Sequence, residues 1–299
     1  MSKRLMADIG LFFVTIGWSV TFILSKNSLA TLAPYNFLAI RFLLAFIIAT
    51  LFFWKRMLKI NKTTLKYGFL MGLLLFVTYA FQTVGLVYTT PSKSAFINGM
   101  SVVLVPIFIS ITMKILPDKK VVFSVILSFA GLGLLTLNQG FSDINIGDIY
   151  TFFCAVLFAV YIILIGKINV NIESISMAVF QLGIVGILSL ITSFFIENPG
   201  LPEGRASWIN ILILSVICTA GAYIIINLAR KYTTATHTAL IYVAEPVFAA
   251  FFAYFLYGEV LSKKGILGAI LILIGMLLAE IDFKKIWKKN RNILKIPKF

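Results

Sequence analysis

The chain consists largely of long apolar runs separated by short polar or charged segments. A helix needs roughly 20 apolar residues to cross a lipid bilayer. Ten runs approach or exceed this length: 8–27, 35–54, 67–88, 94–115, 121–138, 147–169, 176–196, 207–230, 236–257 and 264–281. They are too long for strands and lack the period-two alternation of a transmembrane β-barrel. The sequence therefore predicts an all-α integral membrane protein with ten transmembrane helices.

Composition and charge support a membrane location and argue against a nucleic-acid partner. Hydrophobic residues make up 60% of the chain and charged residues 12%, whereas soluble domains have about 45–50% and 25%. The net charge of +15 is spread over the segments between apolar runs. If the amino terminus lies inside, 20 of the 26 Lys and Arg residues lie on the inner side and five on the outer side. This bias predicts that both termini are cytoplasmic and that the basic tail, 284–299, contacts anionic lipid.

The two halves of the chain resemble each other. "YTTPSKSAFI" at 88–97 matches "YTTATHTALI" at 232–241, and each element precedes a proline inside an apolar run, Pro106 or Pro246. Five spans is an odd number, so the second copy must enter the membrane in the opposite orientation. We therefore predict two inverted five-helix repeats, 1–142 and 143–283, with the substrate site where they meet near the midplane. The two prolines are predicted helix kinks.

Several of these segments resemble a known family. "YTTPSKSAFINGMSVVLVPIF", "GLGLLTLN" and "HTALIYVAEPVFAAFFAYFLYGEVLSKKGILGAILILIGMLLAE" are similar to the two repeats of EamA-type members of the drug/metabolite transporter superfamily. The resemblance covers essentially the whole chain, and "EPVFAA…GE" is its most specific part. It implies a ten-helix fold, a bacterial inner-membrane location and the export or exchange of small metabolites, without specifying which. The first repeat departs from the second in having Val105 in place of Glu245.

Glu245 is an acid near the middle of the ninth apolar run. An ionised carboxylate at the centre of a membrane helix costs about 2.5–3.5 kcal/mol. It must therefore be protonated, paired, or in contact with a watery cavity. One interpretation is structural, with Glu245 capping the backbone that Pro246 loosens or packing against a neighbouring helix. The other is functional, with Glu245 binding substrate or carrying a coupling proton.

Arg41 is the second charged residue inside an apolar run. One interpretation is that it extends to the outer headgroups, as long basic side chains do near helix ends. The other is that it reaches a cavity, where it binds an anionic substrate group or pairs with Glu245.

Polar and aromatic residues within other runs complete the candidate site. Ser215, Thr219, Tyr223 and Asn227 recur every four residues, a spacing typical of either interhelical hydrogen bonding or a cavity wall. Trp18 lies mid-span, where it either stacks on substrate or packs. The predicted substrate-binding residues are Glu245, Arg41, Tyr223, Asn227, Gln82, Asn98, Trp18, Thr219 and Tyr242.

The chain carries no motif for an enzyme. It has no phosphate-binding loop, metal-ligand spacing or nucleophile elbow, and it has one histidine. We therefore predict no catalytic residue, metal or cofactor. We predict instead a secondary active transporter, a monomer or homodimer, that exports or exchanges small amphiphilic metabolites such as amino acids. The alternatives are a broad-specificity carrier of cationic drugs and a non-transporting membrane scaffold. Loss of acidic and zwitterionic solutes in Arg41→Gln would distinguish the first prediction from the cationic carrier.

Overall fold

The computed structural model describes residues 2–114, 116, 119–136, 144–168, 172–233 and 235–280. The predicted tail, 284–299, lies outside these residues. Every regular element in the described part of the chain is a helix. The elements in chain order are α1 (Lys3–Ser28), α2 (Pro34–Phe52), α3 (Trp54–Met57), α4 (Lys62–Tyr88), α5 (Pro91–Gly99), α6 (Ser101–Met113), α7 (Lys119–Thr136), α8 (Ile146–Lys167), α9 (Ser174–Ile196), α10 (Gly204–Ser215), a π-helix (Val216–Gly221), α11 (Ala222–Ala229), α12 (Ala235–Tyr242), α13 (Ala244–Tyr257) and α14 (Lys263–Glu280).

Helix starts follow local sequence signals. Ser2 Oγ accepts a hydrogen bond from Leu5 N at 3.2 Å at the start of α1, and Asn61 Oδ1 accepts one from Thr64 N at 2.7 Å at the start of α4. Both side chains satisfy backbone N–H groups that have no partner within the helix. Pro34 opens α2 and Pro91 opens α5, positions where the missing N–H of proline costs nothing.

Seven helical segments of the described chain are long and apolar enough to cross a membrane. They are Lys3–Ser28, Pro34–Phe52, Lys62–Tyr88, Pro91–Thr112, Ile146–Lys167, Ser174–Ile196 and Gly204–Ala229, and Ala244–Leu256 forms a shorter apolar helix. The protein is therefore an all-helical membrane protein. The exact count of ten spans stays a prediction.

Close helix packing holds the bundle together. The main pairs are α2 with α9, α4 with α8, and α7 with α14. At the contact between α7 and α14, a Cβ atom built on Gly131 would lie 2.6 Å from Gly268 O, and one built on Gly268 would lie 2.5 Å from Gly131 O. The two backbones therefore touch, an approach that only residues without a side chain permit.

Two helices are interrupted at corresponding positions of the two halves. Met100 separates α5 from α6, and Val243 separates α12 from α13. The sequence separation between Met100 and the first "YTT" element differs by one residue from that between Val243 and the second. The interrupted helices also contact one another, α5 with α13 and α6 with α12. Two broken helices therefore meet inside the bundle.

The two interruptions do not coincide with the prolines that the sequence predicts as kinks. Pro106 is an internal residue of α6, and the break in this half lies six residues earlier, beside Gly99. Pro246 is in the first turn of α13, where its missing N–H would have no partner within the helix in any case. In a continuous helix the Pro246 ring would clash with the carbonyl of Tyr242, four positions earlier, but α12 ends at Tyr242.

The π-helix explains how a four-residue polar repeat stays on one buried face. In an α-helix four residues advance about 400°, so such a repeat drifts by about 40° at each step. A π turn contains more residues than an α turn and opposes this drift. Ser215, Thr219, Tyr223 and Asn227 are all fully buried.

Different contacts close the two ends of the bundle. At one end, Lys93 Nζ lies 2.6 Å from Asp148 Oδ2, and Thr89 Oγ1 donates to Asp148 Oδ1 at 2.8 Å. At the other, Arg56 Nη1 lies 3.0 Å from Glu173 Oε1 in an exposed ion pair. We call the end with Arg56 the basic end and the end with Lys93 the opposite end.

Glu173 connects α3 to the start of α9. Its Oε2 accepts a hydrogen bond from Ser176 N at 2.5 Å while Oε1 contacts Arg56. Burial of Glu173 acts to raise its pKa, but the hydrogen bonds from Ser176 and Arg56 outweigh that effect, and the pKa lies below that of a free glutamate. The charged form of Glu173 therefore favours the folded state.

Candidate functional site

A small cavity lies beside the interrupted helices. Its volume is about 20 Å³, which is space for about one water molecule. Among the described residues, Glu245 is the only charged one in its lining, and we call it the acid cavity. The full lining is Trp18, Thr21, Phe22, Thr78, Tyr79, Gln82, Asn98, Cys154, Phe158 and Glu245. The structure thus brings together four predicted substrate-binding residues: Trp18, Gln82, Asn98 and Glu245.

Glu245 lies in the first turn of α13 and is 5% exposed. The first turn of a helix has free N–H groups and the positive end of the helix dipole, both of which favour a negative side chain. Ser19 Oγ donates to the backbone oxygen of Glu245 at 2.9 Å and so ties α1 to α13. The break at Val243 therefore places the acid at a helix start instead of mid-helix, which lowers the cost of its charge.

The neighbours of Glu245 are neutral hydrogen-bonding groups. Cys154 Sγ donates to Asn98 Oδ1 at 3.3 Å, so this buried cysteine is a weak donor beside the cavity. Gln82 is half-buried in the same lining. A carboxylate, two amides and several ring faces can bind a proton, a cationic group or an apolar group reversibly.

Five aromatic rings, the aromatic layer, pack beside the acid cavity: Trp18, Phe158, Tyr161, Tyr223 and Tyr242. The Trp18 centroid lies 5.6 Å from that of Phe158 and 5.4 Å from that of Tyr242, and the Tyr161 and Tyr223 centroids are 6.1 Å apart. These are favourable distances for aromatic pairs. Trp18 Nε1 donates to Cys218 O at 2.9 Å, which fixes the orientation of the indole.

A second cavity, of about 30 Å³, lies on the basic-end side of the layer. Arg230 is its only charged lining residue in the described chain, and we call it the Arg230 cavity. Its lining is Phe158, Tyr161, Ile162, Ile165, Gly166, Ile226, Arg230, Thr233, Thr238 and Tyr242. Arg230 donates from Nη1 to Ile168 O at 3.0 Å and from Nη2 to Ile172 O at 3.2 Å. Phe158 lines both cavities, so part of the aromatic layer separates them.

Arg41 lines neither cavity. It is 1% exposed, its Nε donates to Thr219 Oγ1 at 2.8 Å, and its Cζ lies 5.4 Å from the Tyr79 ring centroid and 5.5 Å from that of Phe42. Such burial inside the protein is inconsistent with extension to the headgroups. Within the described chain no ion pair joins Arg41 to Glu245, since the two pairs found are Lys93–Asp148 and Arg56–Glu173. Arg41 instead anchors the π-helix to α2.

The remaining predicted residues lie behind the cavities or beside the second one. Tyr223 donates its hydroxyl to Tyr79 Oη at 3.0 Å, and Asn227 Nδ2 donates to Tyr223 O at 2.8 Å. Thr219, in the π-helix, accepts the bond from Arg41. Thr219, Tyr223 and Asn227 are not in the lining of either cavity, whereas Tyr242 lines the Arg230 cavity.

Sequence reasoning missed Tyr79, Phe158, Tyr161 and Arg230 as residues of the site. Arg230 is the last residue of the eighth apolar run, where a basic residue is typical of positive-inside topology. The offset that relates Pro106 to Pro246 also relates Trp18 to Phe158, and this pairing is a signal in the sequence that points to Phe158. Tyr79 and Tyr161 have no distinguishing signal, since the chain has 28 Phe and 11 Tyr residues.

Comparison with known proteins is consistent with this architecture. A model of the EamA-like transporter family matches residues 5–137 and again 145–280. An uncharacterized transporter of Archaeoglobus fulgidus is 33% identical, with 93% of this chain and 87% of that protein aligned. An S-adenosylmethionine uptake transporter of Rickettsia felis is 25% identical over 97% of this chain and 98% of that protein.

One solved crystal structure has the same fold, with a TM-score of 0.70 at 19% identity, covering 93% of this chain and 97% of that one. The two family matches together span nearly the whole chain, and the relatives align over most of their own length. The chain therefore belongs to the EamA-like transporter family and is a membrane transporter, not an enzyme.

Proposed function

We propose that the protein is a secondary active transporter that exports or exchanges small amphiphilic metabolites, such as amino acids, by alternating access. It would lie in the inner membrane of the cell with ten spans and both termini in the cytoplasm. The observation that carries the proposal is the acid cavity beside two broken helices. In secondary transporters, interrupted helices at corresponding positions of two halves frame the binding site.

The contacts between helices support two inverted repeats, 1–142 and 143–283. If α1 corresponds to α8 and α6 corresponds to α13, the contact of α1 with α13 has its counterpart in α8 with α6. In the same way α4 with α8 has its counterpart in α11 with α1. The family model also matches each half once. A two-fold relation of this kind lets the halves exchange conformations around one site.

Both cavities are too small for a metabolite, at about 20 and 30 Å³. Solute binding therefore requires the rings between them to separate. We infer that the aromatic layer moves during transport, with Trp18 and Phe158 flanking the apolar part of the solute. Glu245 would bind either a cationic group or the coupling proton, and Asn98 and Gln82 would supply neutral hydrogen bonds.

A cationic drug carrier remains the second candidate, because Glu245 is the only charged residue that lines the acid cavity in the described chain. Two Rickettsia relatives are named S-adenosylmethionine uptake transporters, which instead supports an amino-acid derivative as the solute.

Counterflow into proteoliposomes tests the proposal. Vesicles preloaded with unlabelled amino acids, or with quaternary amines, would take up the same labelled compound faster than protein-free vesicles. Uptake of amino acids supports the first candidate, and uptake of amines alone supports the second. No protein-dependent exchange of either group in vesicles with correctly folded protein would contradict transport of these classes.

A further inference from the structure

We propose that the Lys93–Asp148 ion pair and the backbone contact between α4 and α8 form the gate of the opposite end, which must break before the acid cavity opens to that side of the membrane. This inference rests on the function proposed above. It goes beyond that function because it assigns a moving part of the transporter and the residues that hold it closed. Neither partner of the ion pair lines the acid cavity or the Arg230 cavity.

The backbones of α4 and α8 touch between the acid cavity and the opposite end. A Cβ atom built on Gly147 would lie 2.5 Å from Gly85 O, and one built on Gly85 would lie 2.9 Å from Gly147 O. Gly85 follows Gln82, a residue of the acid cavity, by about one helical turn in α4. No solute passes between two helices at this separation. The contact therefore closes this side of the acid cavity.

The ion pair lies directly beside the glycine contact. Lys93 Nζ is 2.6 Å from Asp148 Oδ2, and the two side chains are 18% and 5% exposed. Asp148 follows Gly147 in α8, and Lys93 belongs to α5, so the pair holds α5 against α8. Separating the partners leaves a buried carboxylate without its cation, which is strongly unfavourable. The pair therefore opposes opening at this end.

Two more side chains hold the end of α4 in the closed arrangement. Lys26 Nζ, from α1, donates to Leu86 O at 2.8 Å and to Thr89 O at 3.0 Å. A cation at the carboxyl end of a helix also complements the helix dipole. Asn145 Nδ2, at the start of α8, donates to Tyr88 O. The end of α4 is thus bound to α1 and to α8, and opening has to break these contacts together.

The corresponding contact at the basic end is built from larger residues. By the offsets that align the two halves, Ala7 of α1 corresponds to Gly147. Ala229 of α11 corresponds to Gly85 in the same way. The methyl groups of two alanines keep helix backbones farther apart than two glycines do. The two gates are therefore unequal, and the gate of the opposite end is the tighter one.

Cys154 is a native reporter of the gate. It lines the acid cavity, and Cys218, the other cysteine of the chain, can be replaced by alanine. A membrane-impermeant methanethiosulfonate reagent is applied in turn to each side of the membrane. Leu201→Cys, in the exposed loop after α9, identifies the side of the opposite end. In Lys93→Met, modification of Cys154 from that side should become about five- to 150-fold faster, the range typical of conformational coupling, without a rise from the other side.

The controls separate gating from stability. Arg56→Gln removes the exposed ion pair of the basic end and should leave the rate from the opposite end unchanged. If the Lys93–Asp148 pair only stabilises the fold, Lys93→Met should change both rates equally or neither, and either result would overturn the proposal. If that variant does not fold, Gly147→Ala tests the same gate, because its Cβ forces α4 and α8 apart. It should also raise the rate from the opposite end alone, and an unchanged rate would overturn the proposal.

Failure of this inference differs from failure of the proposed function. Equal modification of Cys154 in wild type and Lys93→Met, together with normal counterflow, would overturn the gate and leave transport intact. Absence of all counterflow by folded wild-type protein would contradict the proposed function itself.

Discussion

The contact between α7 and α14 gives a stability prediction whose size follows from the structure. In Gly268→Ala the new Cβ would lie 2.5 Å from Gly131 O and 2.7 Å from Leu135 N. Both neighbours are backbone atoms, so no side chain can rotate away. The helices would have to separate by roughly 1 Å, because carbon atoms pack best at about 3.5–4.0 Å from their neighbours. Overpacking of this kind costs about 1–3 kcal/mol.

Alanine also stabilises a helix relative to glycine by about 1 kcal/mol, which opposes this cost. We therefore expect Gly268→Ala to lower the free energy of unfolding by up to about 2 kcal/mol. Gly17→Ala in α1 is the matched control, because its Cβ would lie 3.9 Å from Cys218 Sγ, an ordinary contact. It should be neutral or stabilising. Unfolding in mixed detergent micelles, followed by tryptophan fluorescence, measures both variants. Equal stabilisation by both would refute the backbone contact.

Three further predictions concern the ends of the bundle. Lys93→Met should lower the free energy of unfolding by at least about 1 kcal/mol, because it leaves the buried Asp148 without its ion pair. Adding Asp148→Asn to this variant should recover part of the loss. Equal stability of wild type, the single variant and the double variant would contradict a stabilising pair. Because the pKa of Glu173 is lowered, its charged form stabilises the fold at pH values above the ordinary glutamate pKa, and this contribution is lost as the pH falls through the lowered pKa. The difference in free energy of unfolding between wild type and Glu173→Gln should therefore shrink on acidification. A difference that does not change with pH would contradict the assignment. Cysteine placed at Lys62 should react only from the cytoplasm and at Leu201 only from outside, whereas the reverse pattern would contradict the predicted topology.

Residues that are polar inside apolar runs were the informative ones in the sequence. Trp18, Gln82, Asn98 and Glu245 stood out by type and position, and they line one cavity. The reason is physical: a polar group inside a membrane helix needs a partner or a cavity. Their role in binding substrate remains a proposal, as do the repeat boundaries and the ten spans.

Other features depended on packing that no local pattern encodes. The sequence indicates how deep Arg41 lies in its apolar run. It does not indicate that Thr219, Tyr79 and Phe42 surround the side chain. Arg230 resembles an ordinary topological charge at the end of a run, whereas its guanidinium donates to Ile168 O and Ile172 O and lines a cavity. The sequence points to Pro106 as the kink of the first half, whereas the interruption lies at Met100.

The most direct test of the account is the transport behaviour of Glu245→Gln in proteoliposomes. The variant keeps the shape of the side chain and fixes it in a neutral form. The matched control is Glu259→Gln, which alters an acid just beyond α13 that accepts a hydrogen bond from Ser92 N at 3.2 Å.

The measurement compares passive counterflow with accumulation driven by a pH gradient, using the labelled solute that wild-type protein exchanges. If Glu245 carries the coupling proton, Glu245→Gln should retain counterflow and lose pH-driven accumulation, while Glu259→Gln should retain both. If Glu245 instead binds a cationic solute group, Glu245→Gln should lose counterflow as well. Wild-type counterflow together with wild-type pH-driven accumulation in Glu245→Gln would contradict a functional role for the acid cavity.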